Sequence, residues 1–130
     1  MEKDFDTWNE KKKGLHVRTD VGGVFFNERE IWWCRLGVNV GSEQDGSGSS
    51  FLRPVVILRS FGPDICVVVP LTTSHRKHPL RIPVGTVLDK KASAILSQMR
   101  VVDTRRLVEK VEFLDKGIFS ELRKAVRKLF

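Results

Sequence analysis

The sequence is short of the features that announce most functional classes. It has two cysteines, Cys34 and Cys66, too few for a disulfide framework and in no metal-ligand spacing. Buried thiols in a reducing cytoplasm are the simpler reading. No apolar run approaches the roughly 20 residues that span a bilayer, so no membrane-crossing segment is expected. The N-terminus, Met1-Glu2-Lys3-Asp4-Phe5-Asp6, carries acids and has no apolar stretch, so it does not read as a secretory signal. A phosphate-cradling loop is missing too, because Gly46-Ser47-Gly48 has no Lys-Ser/Thr behind it. His75 and His78 stand three apart, but Pro79 follows at once and argues for loop, so both read as solvated histidines rather than metal ligands. No Ser or Cys nucleophile motif appears. What survives these exclusions is chemistry that needs neither a metal nor a cofactor, or binding alone.

What the chain has in quantity is basic charge. Lys and Arg number 23 against 16 Asp and Glu, giving +7 and a pI near 9.8. That surplus favours polyanionic partners, nucleic acid first, although many small domains are basic without one. With 130 residues, 41% hydrophobic and 30% charged, the chain reads as one globular domain able to close a single core.

Residues 3–14 read as a short helix, with Phe5 and Trp8 on one side and Lys11-Lys12-Lys13 suiting its negative end. Residues 15–28 look irregular. Strand signals then follow at 30–36, 53–58 and 65–70, the last two continuously apolar as in strands buried on both faces. Pro54 has no N–H and belongs at a strand start or edge. A Gly- and Ser-rich loop fills 38–52, and Gly62-Pro63-Asp64 makes a turn. Leu80-Arg81-Ile82-Pro83-Val84 alternates, as does 108–113, with short apolar pieces at 94–96 and 101–102. Asp115 caps a C-terminal helix whose stripe is Ile118, Phe119, Leu122, Val126 and Leu129. The sum is an α+β fold dominated by strand: a small SH3-like β-barrel over 29–130 with a C-terminal helix, preceded by a helical extension over 1–28.

In such a barrel the 38–52 loop, Arg53 at a strand start and Thr72-Thr73-Ser74 at a strand end can meet at one rim. RNA carries its own nucleophile, the 2′-OH, so a protein need only align it and stabilise charge on the phosphorus. Arginine suits that task because its planar fork donates two hydrogen bonds to phosphate oxygens. The plainer alternative is a surface arginine beside ordinary strand-end polarity. Trp32 and Trp33 are adjacent on a strand and point to opposite faces. One belongs in the core; the other reads first as a packing or dimer contact, with base stacking as the alternative. Arg76-Lys77 could meet phosphates at the rim or be a solvated loop. Lys90-Lys91 and the C-terminal basic run read as solubility and helix-dipole features.

In order and spacing, three blocks resemble the MazF/PemK toxin family. They are Glu30-Ile31-Trp32-Trp33 with Gly41-Ser42-Glu43-Gln44 and Arg53-Pro54-Val55-Val56-Ile57-Leu58; then Val67 through Thr73; then Ser97-Gln98-Met99-Arg100-Val101-Val102-Asp103 with Arg105-Arg106-Leu107. The resemblance implies a sequence-selective, metal-independent endoribonuclease toxin acting on single-stranded RNA, with 2′,3′-cyclic phosphate and 5′-OH ends and no cofactor. It implies Arg53 and Thr72 as the catalytic pair, Arg53 as proton donor and phosphorane stabiliser and Thr72 as holder of a non-bridging oxygen. Glu43, Gln44 and Gln98 would contact RNA, with Thr73, Arg76 and Lys77 beside them. A symmetric homodimer, a cognate antitoxin and a cytoplasmic location follow in the same way. Two readings from other classes stand beside it: a non-enzymatic toxin of the same barrel that poisons a protein target such as gyrase, and an RNA-binding barrel without catalysis. Three departures are visible. The loop after Gln44 is longer than the family's, Ser97 stands where many members have aspartate, and residues 1–28 have no counterpart in compact members.

Overall fold

The computed structural model describes residues 25–37, 52–74 and 76–130. The helix expected over 3–14 and nearly all of the 38–52 loop lie outside the described residues. Seven strands and one helix follow in order: β1 (Glu30–Arg35), β2 (Leu52–Ser60), β3 (Ile65–Thr72), β4 (Arg81–Val87), β5 (Lys90–Ile95), β6 (Arg100–Asp103), β7 (Leu107–Phe113) and α1 (Lys116–Arg127). All pairings are antiparallel, in the order β4-β5-β3-β2-β1-β7, with β6 also on β3. β3 is the hub. One edge carries β2; the other carries β6 along Ile65–Val68 and then β5 at Leu71–Thr72. That change of partner curls the sheet into a half-barrel. No helix among the described residues is long and apolar enough to cross a membrane.

The continuous apolar runs of β2 and β3 resolve by the two-residue strand period into two cores rather than the single one expected. Val56, Leu58, Val69 and Leu71 join Ile31, Val84, Ala94, Phe119 and Leu122 on one face. Val55, Ile57, Cys66 and Val68 join Trp32, Cys34, Val102 and Leu107 on the other. Each fully buried Val, Leu or Ile contributes about 1.5–3 kcal/mol of transfer free energy, so both faces anchor these strands. Cys34 and Cys66 are free thiols in the second core, and burial pushes them up to about 12 and about 11. They are packing groups that stay protonated near neutrality.

α1 forms as its sequence dictates. The Asp115 carboxylate accepts from the Ile118 N–H at 3.1 Å, and Phe119 and Leu122 are buried against the first core. Leu129, expected in the same stripe, lies beyond the helix end and is 38% exposed. Gly85, at φ +82, sits at a register shift in β4, where an added Cβ would stand 3.3 Å from Ile118 Cδ1. The bend there lets the helix approach the sheet. Pro83 is exposed on β4, an outer strand of the sheet, where a missing N–H is tolerated.

One buried charge fixes the start of β1. Glu30 is 1% exposed, and its Oε1 accepts from the Asn27 N–H at 2.7 Å and from Trp32 Nε1 at 3.0 Å. Its Oε2 faces Lys110 Nζ at 3.5 Å. Burial pushes this carboxyl up, but the hydrogen bonds from Trp32 and Asn27 and the charge of Lys110 outweigh it and hold the pKa below the ordinary carboxylate value. A depressed pKa means the stabilisation is full above about pH 5, where unfolded glutamate is ionised, and is lost as pH falls through the native value. Glu30→Ala strands the Trp32 N–H and is expected to destabilise by about 1–3 kcal/mol at pH 7. In thermal melts the gap to the parent protein should narrow as pH is lowered to 3. A pH-independent gap would show that packing alone explains the loss.

Candidate active site

The β2–β3 ladder runs through Ile57↔Val68 and Val56↔Val69 to Val55↔Pro70 and stops there. Both residues at which it could continue or close are unusual, since Pro54 and Pro70 have no N–H to give. Carried one step further, the same register sets Pro54 opposite Leu71; carried two, it sets Arg53 opposite Thr72. Arg53 and Thr72 thus lie past the end of the ladder on neighbouring strands, and both line the same cleft. Arg53 Nη1 makes a long 3.4 Å contact to the Leu71 carbonyl, the acceptor that Pro54 cannot serve. On its other side, β3 is clamped by β5 through Thr72↔Ser93 and Leu71↔Ala94.

Beyond the end of the ladder lies a cleft of about 630 Å³. Its lining is mixed: Arg53, Thr72, Thr73, Ser74 and Lys90 are polar, and Trp33, Pro54, Leu71, Val87, Leu88 and Ala92 are apolar. That volume is in the range of small-ligand sites. Two side-chain cations and three hydroxyls, with no carboxylate among the described lining residues, give that lining a positive charge, which favours anions. Thr72 is only 8% exposed, and its hydroxyl oxygen accepts from the Ser74 N–H at 3.1 Å. That bond fixes the oxygen and leaves its own O–H as a donor toward the cleft. The Ser74 hydroxyl in turn accepts from the Arg76 N–H at 3.3 Å, which holds the chain leaving β3.

Of the residues singled out in the sequence, Arg53, Thr72 and Thr73 come together here. Arg76 and Lys77 are exposed on the segment after β3 and do not line the cleft. Gln98 lies on a 3₁₀ turn (Leu96–Gln98) after β5, with exposed Ser97 beside it, and is also outside the lining. Glu43 and Gln44 fall outside the described residues. His78 is exposed, and its Nδ1 accepts from the Leu80 N–H at 3.0 Å, a local loop bond. No group of three His, Cys, Asp or Glu side chains among the described residues could hold a metal ion. Trp32 is the core tryptophan, 4% exposed, and Trp33 is the one that meets the cleft.

Leu88 and Lys90 line the cleft although the sequence gave neither a site role, while Trp33 is the outward tryptophan that it left open between packing or dimer contact and base stacking. Leu88 and Asp89 form a two-residue turn from β4 to β5, both left-handed at φ 52 and φ 64. Such turns favour Asn-Gly, so Leu-Asp carried no hairpin signature. Without that hairpin Lys90 reads as a surface charge; with it, Lys90 begins β5 at the cleft wall. A left-handed non-glycine residue costs roughly 1–2 kcal/mol.

The family model of PemK-like, MazF-like toxins of type II toxin-antitoxin systems matches residues 27–130. Similar solved structures include Mycobacterium tuberculosis toxin MazF-mt6, 19% identical with TM-score 0.60, covering 77% of this chain and 94% of that one. MazF (Form-I) from Deinococcus radiodurans is 18% identical with TM-score 0.65, covering 82% and 96%. An endoribonuclease in complex with its cognate antitoxin, from Mycobacterial species, is 14% identical with TM-score 0.62, covering 80% and 93%. At these identities the likeness is one of fold. No curated protein sequence matches the chain.

The Thr72–Ser74 bond has a structural consequence separable from any chemistry. Thr72→Val keeps the shape and removes the acceptor, so it should destabilise by about 0.5–1.5 kcal/mol. Exchange of the Ser74 amide should accelerate beyond what that global loss explains, and Thr72→Ser should restore both. Unchanged Ser74 exchange in Thr72→Val would mean that the bond does not hold this segment.

Proposed function

Because the chain belongs to the PemK-like, MazF-like toxins of type II toxin-antitoxin systems, we propose that its cleft is the active site of a metal-independent, sequence-selective endoribonuclease acting on single-stranded RNA. The observation that carries this reading is the convergence of Arg53 and Thr72 at the open end of the β2–β3 ladder. An endoribonuclease solved with its cognate antitoxin shares the fold, which supports the same reaction class here.

In this mechanism a phosphodiester enters against Arg53 and Thr72. The 2′-oxygen attacks the adjacent phosphorus, the bond to the 5′-oxygen breaks, and the 2′-proton is in effect moved to that leaving oxygen. The products are a 2′,3′-cyclic phosphate and a 5′-OH, and no water is consumed. Arg53 faces the charge that builds on the phosphorus oxygens and the departing 5′-oxygen. A guanidinium holds its proton tightly, so its first contribution is charge and hydrogen bonding rather than acidity. Thr72 donates its O–H to a non-bridging oxygen, pre-aimed by the bond from Ser74. Thr73 lines the same cleft. Glu43, Gln44, Arg76, Lys77 and Gln98 are proposed to meet RNA on either side of the scissile bond.

The proposal extends to assembly. The protein works as a two-fold homodimer in the cytoplasm and is silenced by a cognate antitoxin. A charge of +7 suits an acidic, partly disordered antitoxin segment.

The test is to incubate the purified protein with a long single-stranded RNA in EDTA and map the ends. Cleavage should persist and leave cyclic phosphate and 5′-OH termini. Arg53→Ala should stay folded and lose at least ~10²-fold in rate, the scale of one preorganised charge stabiliser. Thr72→Ala should lose less, since a neutral hydroxyl donates a weaker bond than a guanidinium. A requirement for Mg²⁺, 3′-OH ends, or full activity in Arg53→Ala would overturn the mechanism. Folded variants that are inactive on RNA and still fully arrest growth would show that toxicity comes from poisoning a protein target.

A further inference from the structure

The apolar part of the cleft's lining is unexplained by the proposed phosphoryl chemistry, which needs only Arg53, Thr72 and their neighbours. Its most exposed member, Leu88, is 45% exposed, so core packing does not account for it. Its backbone is left-handed at φ 52, a region that leucine avoids and asparagine or glycine would occupy without difficulty. Asp89, at φ 64, is left-handed too, a conformation aspartate tolerates better than leucine, and Leu88 in this two-residue turn lines the cleft. Two observations thus coincide at one residue: an apolar side chain held out of the core, and a backbone outlier at the rim of a candidate active site. Strain kept at such a place points to a bound group that needs the side chain there.

We infer that Leu88, with Trp33 and Pro54, forms a nucleobase subsite: a slot that holds one base of single-stranded RNA beside the phosphate seated on Arg53 and Thr72. The inference rests on the reading of the cleft as a phosphodiester site and names its specificity-determining residue. The chemistry is complementary. A nucleobase has an apolar face that stacks on an indole ring or packs on proline and leucine, and its phosphate belongs within a few ångströms, on the polar lining residues. Lys90, two residues along from Leu88 and lining the same cleft, supplies a second cation for the neighbouring phosphate. The β4–β5 hairpin is therefore a reading arm that carries a base contact and a backbone contact at its tip.

The test uses short single-stranded oligodeoxynucleotides, which lack the 2′-OH and so bind without being cleaved. Affinities are measured by fluorescence anisotropy for the parent protein, Leu88→Asn and Leu88→Met, against intact strands and strands carrying one abasic position moved along the sequence. Leu88→Asn should melt at or above the parent temperature, because asparagine accepts the left-handed turn. It should bind the intact strand about tenfold more weakly, the scale of an apolar group lost from a pocket. That loss should vanish on the strand abasic at one particular position, and Leu88→Met should bind like the parent. Equal affinity of parent and Leu88→Asn, or the same loss wherever the abasic position falls, would overturn the subsite, as would a parent protein that binds no oligonucleotide. If the parent shows the expected coupling but cleaves no RNA, the subsite stands and the nuclease reading falls.

Discussion

The pairing of β2 with β3 is the constraint on which the rest depends. Its register assigns alternate residues of two apolar strands to two cores, so a slip of one residue would exchange the faces and bury neither set correctly. The same register, followed to its end, determines what stands at the cleft. Val55↔Pro70 is the last pair, and past it the strands carry Pro54, Arg53, Leu71 and Thr72. Core packing and site geometry are therefore one specification. A strand pairing strong enough to be buried on both faces is also rigid enough to hold two functional groups in place.

Prolines do at the cleft what they avoid doing inside a sheet. With no N–H at Pro54 or Pro70, the ladder has no reason to continue, and Arg53 Nη1 reaches the Leu71 carbonyl instead. The opening this leaves is bounded by the β4–β5 hairpin, which β3 holds through Thr72↔Ser93. β4 is in turn pressed onto α1 at Gly85, so the C-terminal helix supports the far wall of the cleft from behind. Glu30 performs the matching task at the other end of β1, tying Asn27, Trp32 and Lys110 together before the strand reaches Trp33 and the cleft.

Much of this was legible in the residues. The apolar runs at 53–58 and 65–70 read as strands buried on both faces, and Val55–Leu58 and Val68–Pro70 are, while Ile65 is 44% exposed and Arg53, Pro54 and Val67 are half-buried. Asp115 read as a helix cap, and its carboxylate accepts the expected amide. Arg53 and Thr72 read as possible rim partners, and the strands bring them to one cleft. The β4–β5 hairpin was not legible, because its turn is Leu88-Asp89 and carries none of the glycine or asparagine that left-handed backbone normally demands. Losing the turn meant losing the strand after it, and Lys90 with it. The placement of Trp33 was equally hidden. Adjacent tryptophans must face opposite ways, but only the register of β1 against β2, with Trp33 opposite Pro54, says which of them meets the cleft. The period-2 division into two cores was implicit in the runs but needed the sheet's curl to become two separate clusters.

The central claim is that Arg53 and Thr72 act on one phosphodiester as a unit, because the β2–β3 register places them together. The most direct measurement is a double-mutant cycle on cleavage of single-stranded RNA, comparing Arg53→Ala, Thr72→Ala and the double variant with the parent. Groups that stabilise the same transition state are strongly non-additive, so the double variant should be at most a few-fold slower than Arg53→Ala alone. Independent effects, with the two losses multiplying in full, would contradict the account.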